Sequence, residues 1–177
     1  MAKVTYRIRQ YFATRKSKLS YLEIDFVRKY LNHQEQILFF RMKGFDQKHG
    51  ILVAEKCLEK TTDVKWIDKA RIARVALLHD LGKSSENIGV SYRVWYVILN
   101  SIAKGKLLKV LAKQRSKLAF RRKLFILDKH GLLGAKMLMD VGCTDNEVLQ
   151  VVAKHHDLPE VNESKMLPFL REIDSTL

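Results

Sequence analysis

Apolar residues recur along this chain every three or four positions. No stretch alternates at every second residue for a useful length, so the pattern predicts helices and no sheet. Over residues 3–19, Val4, Ile8, Tyr11, Phe12 and Leu19 sit near helical spacing, with Arg7, Arg9, Arg15, Lys16 and Lys18 on the other faces. Ser20 and Glu23 make a capping-box pattern that opens a short helix carrying Leu22, Phe26, Val27, Tyr30 and Leu31. Asn32 and Glu35 repeat that logic before Ile37, Leu38, Phe39, Phe40 and Met42, and Gly44 is expected to end this helix. Asp46 is placed to cap a helix over about residues 47–60 with Val53, Ala54, Cys57 and Leu58 facing inward. Thr62 or Asp63 is placed to cap the next, which runs through Trp66, Ala73, Val75, Ala76 and Leu77 to an adjacent His79-Asp80.

Ser91 is expected to open a long helix through Val94, Trp95, Val97, Ile98, Ile102, Leu107 and Leu108, with Gly105 as a break. Residues 130–141 read as a helix ended by Gly142. Thr144 with Glu147 gives another capping box, leading to Val148, Leu149, Val151, Val152 and the pair His155-His156. Asp157-Leu158-Pro159 breaks that helix, and a last one is expected over about 164–177, with Pro168 tolerable in its first turn. The fold class is all-α, in a single domain, as 177 residues would suggest.

Composition agrees with helix: only two prolines and eight glycines are present. No run of about 18 apolar residues exists, so no transmembrane span is expected. The basic N-terminus lacks the apolar core of a secretory leader. Cys57 and Cys143 sit in helix-like contexts and read as small core or near-surface thiols, not a disulfide framework; a cytoplasmic location is therefore expected. The formal charge of +14 implies an anionic partner: a nucleotide, a nucleic acid or an acidic membrane surface. Residues 88–127 concentrate it, with ten Lys or Arg and no acid.

Chemistry enters with the histidines. Five of the six (His49, His79, His130, His155 and His156) lie at or near the ends of apolar helical runs. Each alone could be a structural histidine that hydrogen-bonds a helix end. Together with Asp80 in one small core they would be costly unless something organises them, and a metal ion does so. Imidazole plus carboxylate suits Fe, Mn, Zn or Co, and the two oxygens of Asp80 could bridge two ions.

The order His49, His79-Asp80, His130, His155-His156, Asp174 resembles the HD-domain metal-dependent phosphohydrolases. Within them it is similar to the HDIG-like subgroup with a two-metal centre. The local contexts Gln47-Lys48-His49-Gly50, Leu78-His79-Asp80-Leu81-Gly82-Lys83, His130-Gly131 with Gly134-Ala135, and Lys154-His155-His156-Asp157 carry the resemblance over about residues 45–177. It implies a helical bundle of the HD-domain type. Residues 1–44 would be an N-terminal helical extension packed on it, and 88–127 a basic helical insertion near the mouth of the site. It further implies that His49, His79, Asp80 and Asp174 hold one ion, and that His130, His155, His156 and a bridging Asp80 hold a second. Two ions roughly 3.5–4 Å apart can polarise a water and clamp the oxygens of an in-line phosphoryl displacement. Lys83 resembles the family lysine that contacts substrate phosphate; it would also serve as a cation at a helix C-terminus.

The expected reaction is hydrolysis of a phosphoester or phosphoanhydride in a phosphorylated small molecule, a nucleotide first. Diadenosine tetraphosphate is an alternative substrate, since small hydrolases of that activity share the His130-Gly131-x-x-Gly134-Ala135 and final-Asp pattern. The cofactor implied is one or two divalent transition-metal ions, Fe or Mn first, with Zn, Co or Ni also fitting. Two rival classes are a non-catalytic metal- or nucleotide-binding module and a di-iron oxygenase, which the paired His155-His156 disfavours. Asp157-Leu158-Pro159 stands where cyclic di-GMP hydrolases carry a GYP-type loop. Phe45 stands where relatives with a third metal carry Glu.

Overall fold

The computed structural model describes residues 18–61, 66–101 and 106–177. They form α1 (Tyr21–Tyr30), α2 (His33–Arg41), α3 (Gly44–Lys60), α4 (Lys69–Leu78), a short 3-10 helix (Leu81–Ser85), α5 (Val90–Ser101), α6 (Lys106–Leu111), α7 (Ala119–Asp140), α8 (Asn146–Lys154) and α9 (Met166–Thr176). No strand occurs among the described residues. The helix expected over 3–19 lies outside them except for Lys18 and Leu19, as do the caps expected at Thr62 and Asp63 and the break expected at Gly105.

Helix α4 is the centre of the bundle. Ile72, Ala73, Val75, Ala76, Leu77 and Leu78 are all fully buried, so apolar residues surround nearly the whole circumference of its C-terminal half. It packs along α3, and α1, α8 and α9 also pack against it. Burying one such leucine contributes on the order of 2 kcal/mol. Val27, Leu31, Leu38, Phe39 and Met42 of the N-terminal helices join the same core as Ile51, Val53, Leu77, Val151, Leu167 and Leu170. Arg74 ties three elements together, pairing with the buried Glu35 of α2 and with Asp145 at the start of α8.

The capping boxes at Ser20–Glu23 and Asn32–Glu35 form as the sequence leads one to expect. Other boundaries differ. Met42 is extended and ends α2, while Gly44 begins α3. Gln47 makes this possible: its amide donates to the carbonyls of Phe40 and Met42, while that of Phe39 accepts the Met42 N–H. Asp46 lies inside the first turn of α3 and caps nothing; the cap of α4 is Asp68. The helix expected from Ser91 is described as α5, which starts at Val90, and α6; the break expected at Gly105 falls between them, outside the described residues. Helix α7 begins eleven residues before His130 (130 − 119) and absorbs the apolar run Leu124–Leu127. Asp145, not Thr144, caps α8. Gly142 does stop α7, at φ 90°, a backbone conformation glycine adopts without strain.

Candidate metal centre

The C-terminal ends of α4 and α8 meet the middle of α7 at one point, and glycines allow it. Helix α4 stops at His79, the C-cap, and the chain turns through Asp80 into the 3-10 helix that carries Gly82 and Lys83. A Cβ on Gly82 would overlap the His130 carbonyl and lie 2.7 Å from the Gly134 nitrogen. A Cβ on Gly131 would lie 2.5 Å from the Ala153 carbonyl oxygen. The bare backbone at these two positions brings the His79-Asp80 turn against α7, and α7 against α8. His130 and His155 then face Asp80 at the junction.

The buried imidazoles share one arrangement. His79 Nδ1 lies 2.7 Å from the Ala76 carbonyl, His130 Nδ1 2.8 Å from that of Leu127, and His155 Nδ1 2.8 Å from that of Val152. Each acceptor is the carbonyl three residues earlier. A carbonyl only accepts, so each Nδ1 carries the proton and each neutral ring keeps a lone pair on Nε2. Those lone pairs converge. His130 Nε2 is 3.2 Å from His155 Nε2 and 3.2 Å from Asp80 Oδ1. His79 Nε2 is 3.6 Å from Asp80 Oδ1 and 3.7 Å from Asp174 Oδ1. His79 Nε2 and Asp80 Oδ1 are buried and make no hydrogen bond. Leaving two such atoms unsatisfied is costly, and a cation among them would satisfy both.

The donor atoms form two adjoining groups. Asp80, His130, His155 and His156 each offer one within 4.8 Å of the others, and so do His49, His79 and Asp174. His49 Nε2 lies 2.9 Å from Asp174 Oδ1, joining α3 to α9. Asp80 Oδ1 lies between the two groups, while its Oδ2 accepts from Lys83 Nζ at 2.6 Å. The seven donors singled out from the sequence thus stand together. The imidazole-rich set fits a transition metal better than Ca or Mg, which prefer oxygen.

Electrostatics favour the deprotonated forms that bind metal. Burial, then the charge of nearby His49, hold His79 below its ordinary value, against the pull of Asp80 and Asp174. Burial, followed by His156, His130 and His79, holds His155 well below. Loss of solvation, then His130 and Lys83, press His156 down to about 3, although part of the residue is exposed at the pocket mouth. Burial pushes the Asp80 carboxyl up, but Lys83, then His79 and His130, outweigh it and hold it well below the usual range. Asp174 is depressed in the same way: the hydrogen bond from His49 and the charge of His79 overcome its burial.

A pocket of about 270 Å³ opens over this cluster. Its polar floor includes His49, Asp80, Lys83, His130, His156 and Asp174; Phe45, Leu52, Tyr96, Val97, Leu127 and Leu177 form apolar walls. One wall holds a pair that sequence reasoning missed. Arg93 of α5 makes a bidentate ion pair with Asp46 of α3, at 2.9 and 2.8 Å, and its guanidinium lies 4.3 Å over the Phe45 ring. In the sequence Arg93 belongs to the basic run. The available signal was its place one turn before Tyr96 and Val97, a cation inside an apolar stripe.

The class defined by fold and site is an all-helical protein with two adjoining His/Asp clusters able to hold metal. No family model, no curated protein and no solved structure matches the chain.

Proposed function

We propose that this protein is a metal-dependent phosphohydrolase of the HD-domain type, acting on a phosphoester or phosphoanhydride bond in a nucleotide. One observation carries the reading: three imidazoles whose Nδ1 protons are spent on backbone carbonyls turn their Nε2 lone pairs inward, two of them onto the buried Asp80 carboxylate and the third onto His130, beneath an open pocket. His49, His79 and Asp174 would hold one ion and His130, His155 and His156 another, with Asp80 shared between them; Fe or Mn is the first expectation and Zn, Co or Ni the next. Such a metal supplies Lewis acidity toward a phosphoryl oxygen and lowers the pKa of a water toward neutrality. Lys83 orients Asp80 through Oδ2 and lines the same pocket, where its charge can meet a phosphate oxygen. The apolar walls at Phe45, Tyr96 and Leu127 suit a planar base and keep bulk water from the phosphate. Buried Cys57, its thiol pushed up to about 12 by burial and then by Asp174, and unpaired Cys143 fit a reducing cytoplasm.

The test is elemental analysis of protein purified without chelator, followed by turnover of bis(4-nitrophenyl) phosphate, nucleoside phosphates and diadenosine tetraphosphate. One or two transition-metal ions per chain and metal-dependent turnover are expected. A folded, metal-free protein that takes up nothing on titration overturns the reading. A metal-loaded protein that cleaves none of these substrates is a binding module instead.

A further inference from the structure

Helices α5 and α6 and the N-terminal part of α7 build an arm with its own small cores, Ile88 with Ile126 and Leu127, and Leu99 with Leu108 and Leu124. The arm also carries apolar residues that face outward. Trp95 is 51% exposed, Leu107 41%, Val110 63% and Leu118 64%. A single exposed apolar side chain is ordinary on any surface. Four within one short segment, interleaved with cations, are not. Between Val110 and Leu118 the chain exposes Lys113, Arg115 and Lys117, which make no ion pair among the described residues. Two other cations of the arm are occupied, Arg93 with Asp46 and Arg122 with Glu86. Elsewhere on the surface opposite charges pair in the usual way, as in Lys56–Glu59 and Lys60–Glu172.

We infer that this arm docks the protein on an anionic lipid surface, with Trp95, Val110 and Leu118 entering the headgroup region and the loop cations facing lipid phosphates. Charge complementarity selects the partner: no Asp or Glu occurs in residues 88–127 to oppose an acidic bilayer. The exposed Val and Leu select it over a nucleic acid, which uses cations and aromatic stacking but gains nothing from aliphatic side chains. Tryptophan is well suited to the interface, with an apolar ring and one N–H. Helix α5 lines the pocket through Arg93, Tyr96 and Val97, so a docked arm holds the pocket beside the bilayer.

The experiment uses the full chain. Trp66→Phe leaves Trp95 as the one tryptophan, since the chain has two. Vesicles of phosphatidylcholine alone are compared with vesicles containing phosphatidylglycerol. A blue shift of Trp95 emission and co-flotation with the anionic vesicles alone are expected. Binding should weaken as the Debye length falls from about 10 Å at 0.1 M salt to about 3 Å at 1 M. Lys113→Glu with Arg115→Glu and Lys117→Glu should lower affinity at least ~10-fold. Val110→Ser with Leu118→Ser should lower it as well; both positions are exposed, and Leu118 is the N-cap of α7, where Ser is favoured, so the fold is kept. Failure to bind anionic vesicles overturns the inference. So does oligonucleotide binding that charge reversal abolishes and the two Ser replacements leave intact.

Discussion

The Nε2 atoms of His130 and His155 face one another across 3.2 Å, although both rings have given their protons to carbonyls on the far side. Two lone pairs held that close in a buried place repel unless a cation lies between them. The packing forces this meeting: Gly131, in the middle of α7, lets that helix close on the end of α8, and each Nδ1 anchor fixes its ring. The arrangement is poor as a protein interior and good as a ligand set.

Asp80→Ala should empty both metal positions, because Oδ1 lies between the two donor groups and its loss leaves several imidazoles without the carboxylate that balances them. His130→Ala should empty only one. Anomalous scattering at the metal edge checks this; two ions retained in Asp80→Ala would mean that Asp80 bridges nothing.

Gly82→Ala should disrupt the centre without touching a donor. Its Cβ would collide with backbone atoms of His130 and Gly134, which have no side-chain freedom to yield. A loss of roughly 3 kcal/mol is expected, as for severe overpacking, with metal content falling too. Gly142→Ala is the control: nothing lies within 4 Å of its Cβ, and only the φ of 90° is strained. It should cost about 1–2 kcal/mol and keep the metal. Equal metal loss in both would show that global stability, not the Gly82 contact, controls the site.

Metal-free protein should lose stability as acid is added. His79, His155 and His156 are held below their ordinary value when folded, first by burial. The unfolded chain therefore takes up protons below about pH 6.5 while the fold does not, and stability falls with falling pH. The decline should continue toward pH 3, where His156 titrates in the fold at about 3. Asp80 and Asp174, depressed in the fold, add a loss of the same sign below about pH 4. Melting temperature against pH in chelator reads this directly. A midpoint that rises between about pH 7 and pH 5 would contradict the assigned neutral imidazoles.

Asp46→Asn should leave the Arg93 guanidinium poorly paired in the pocket wall. Breaking a largely buried pair from one side costs roughly 3 kcal/mol. Metal content should stay unchanged, because neither residue is a donor. KM for a nucleotide should rise more than kcat falls, since the wall and not the metal floor is disturbed. If kcat alone collapses, Arg93 and Asp46 act on the reacting phosphate.

What the sequence discloses and what it hides follow from range. Ser20–Glu23 and Asn32–Glu35 are contacts between near neighbours, and they are legible as patterns. His79 and His155 are legible because each ends an apolar helical run; His130 lies in the middle of α7 and is legible only as part of the ordered set. Boundaries were less so. Gly44 and Thr144 looked like stop and cap by type, but Gln47 satisfied the end of α2 and Asp145 outcompeted its neighbour. Arg93 stands in the sequence as one of ten cations of the basic run 88–127; its partner is 47 residues away, and no local pattern announces it.

The contact between His49 and Asp174 spans 125 residues, and that gives assembly of the centre an order in time. Helices form from near neighbours within about a microsecond, while closing a loop of that size costs on the order of 4 kcal/mol in chain entropy. His130 and His155 are only 25 residues apart and meet through two consecutive helices. The group holding Asp80, His130, His155 and His156 can therefore be complete while α9 is still searching for its place. An ion captured there early would find its site built, and the position closed by His49 and Asp174 would fill last.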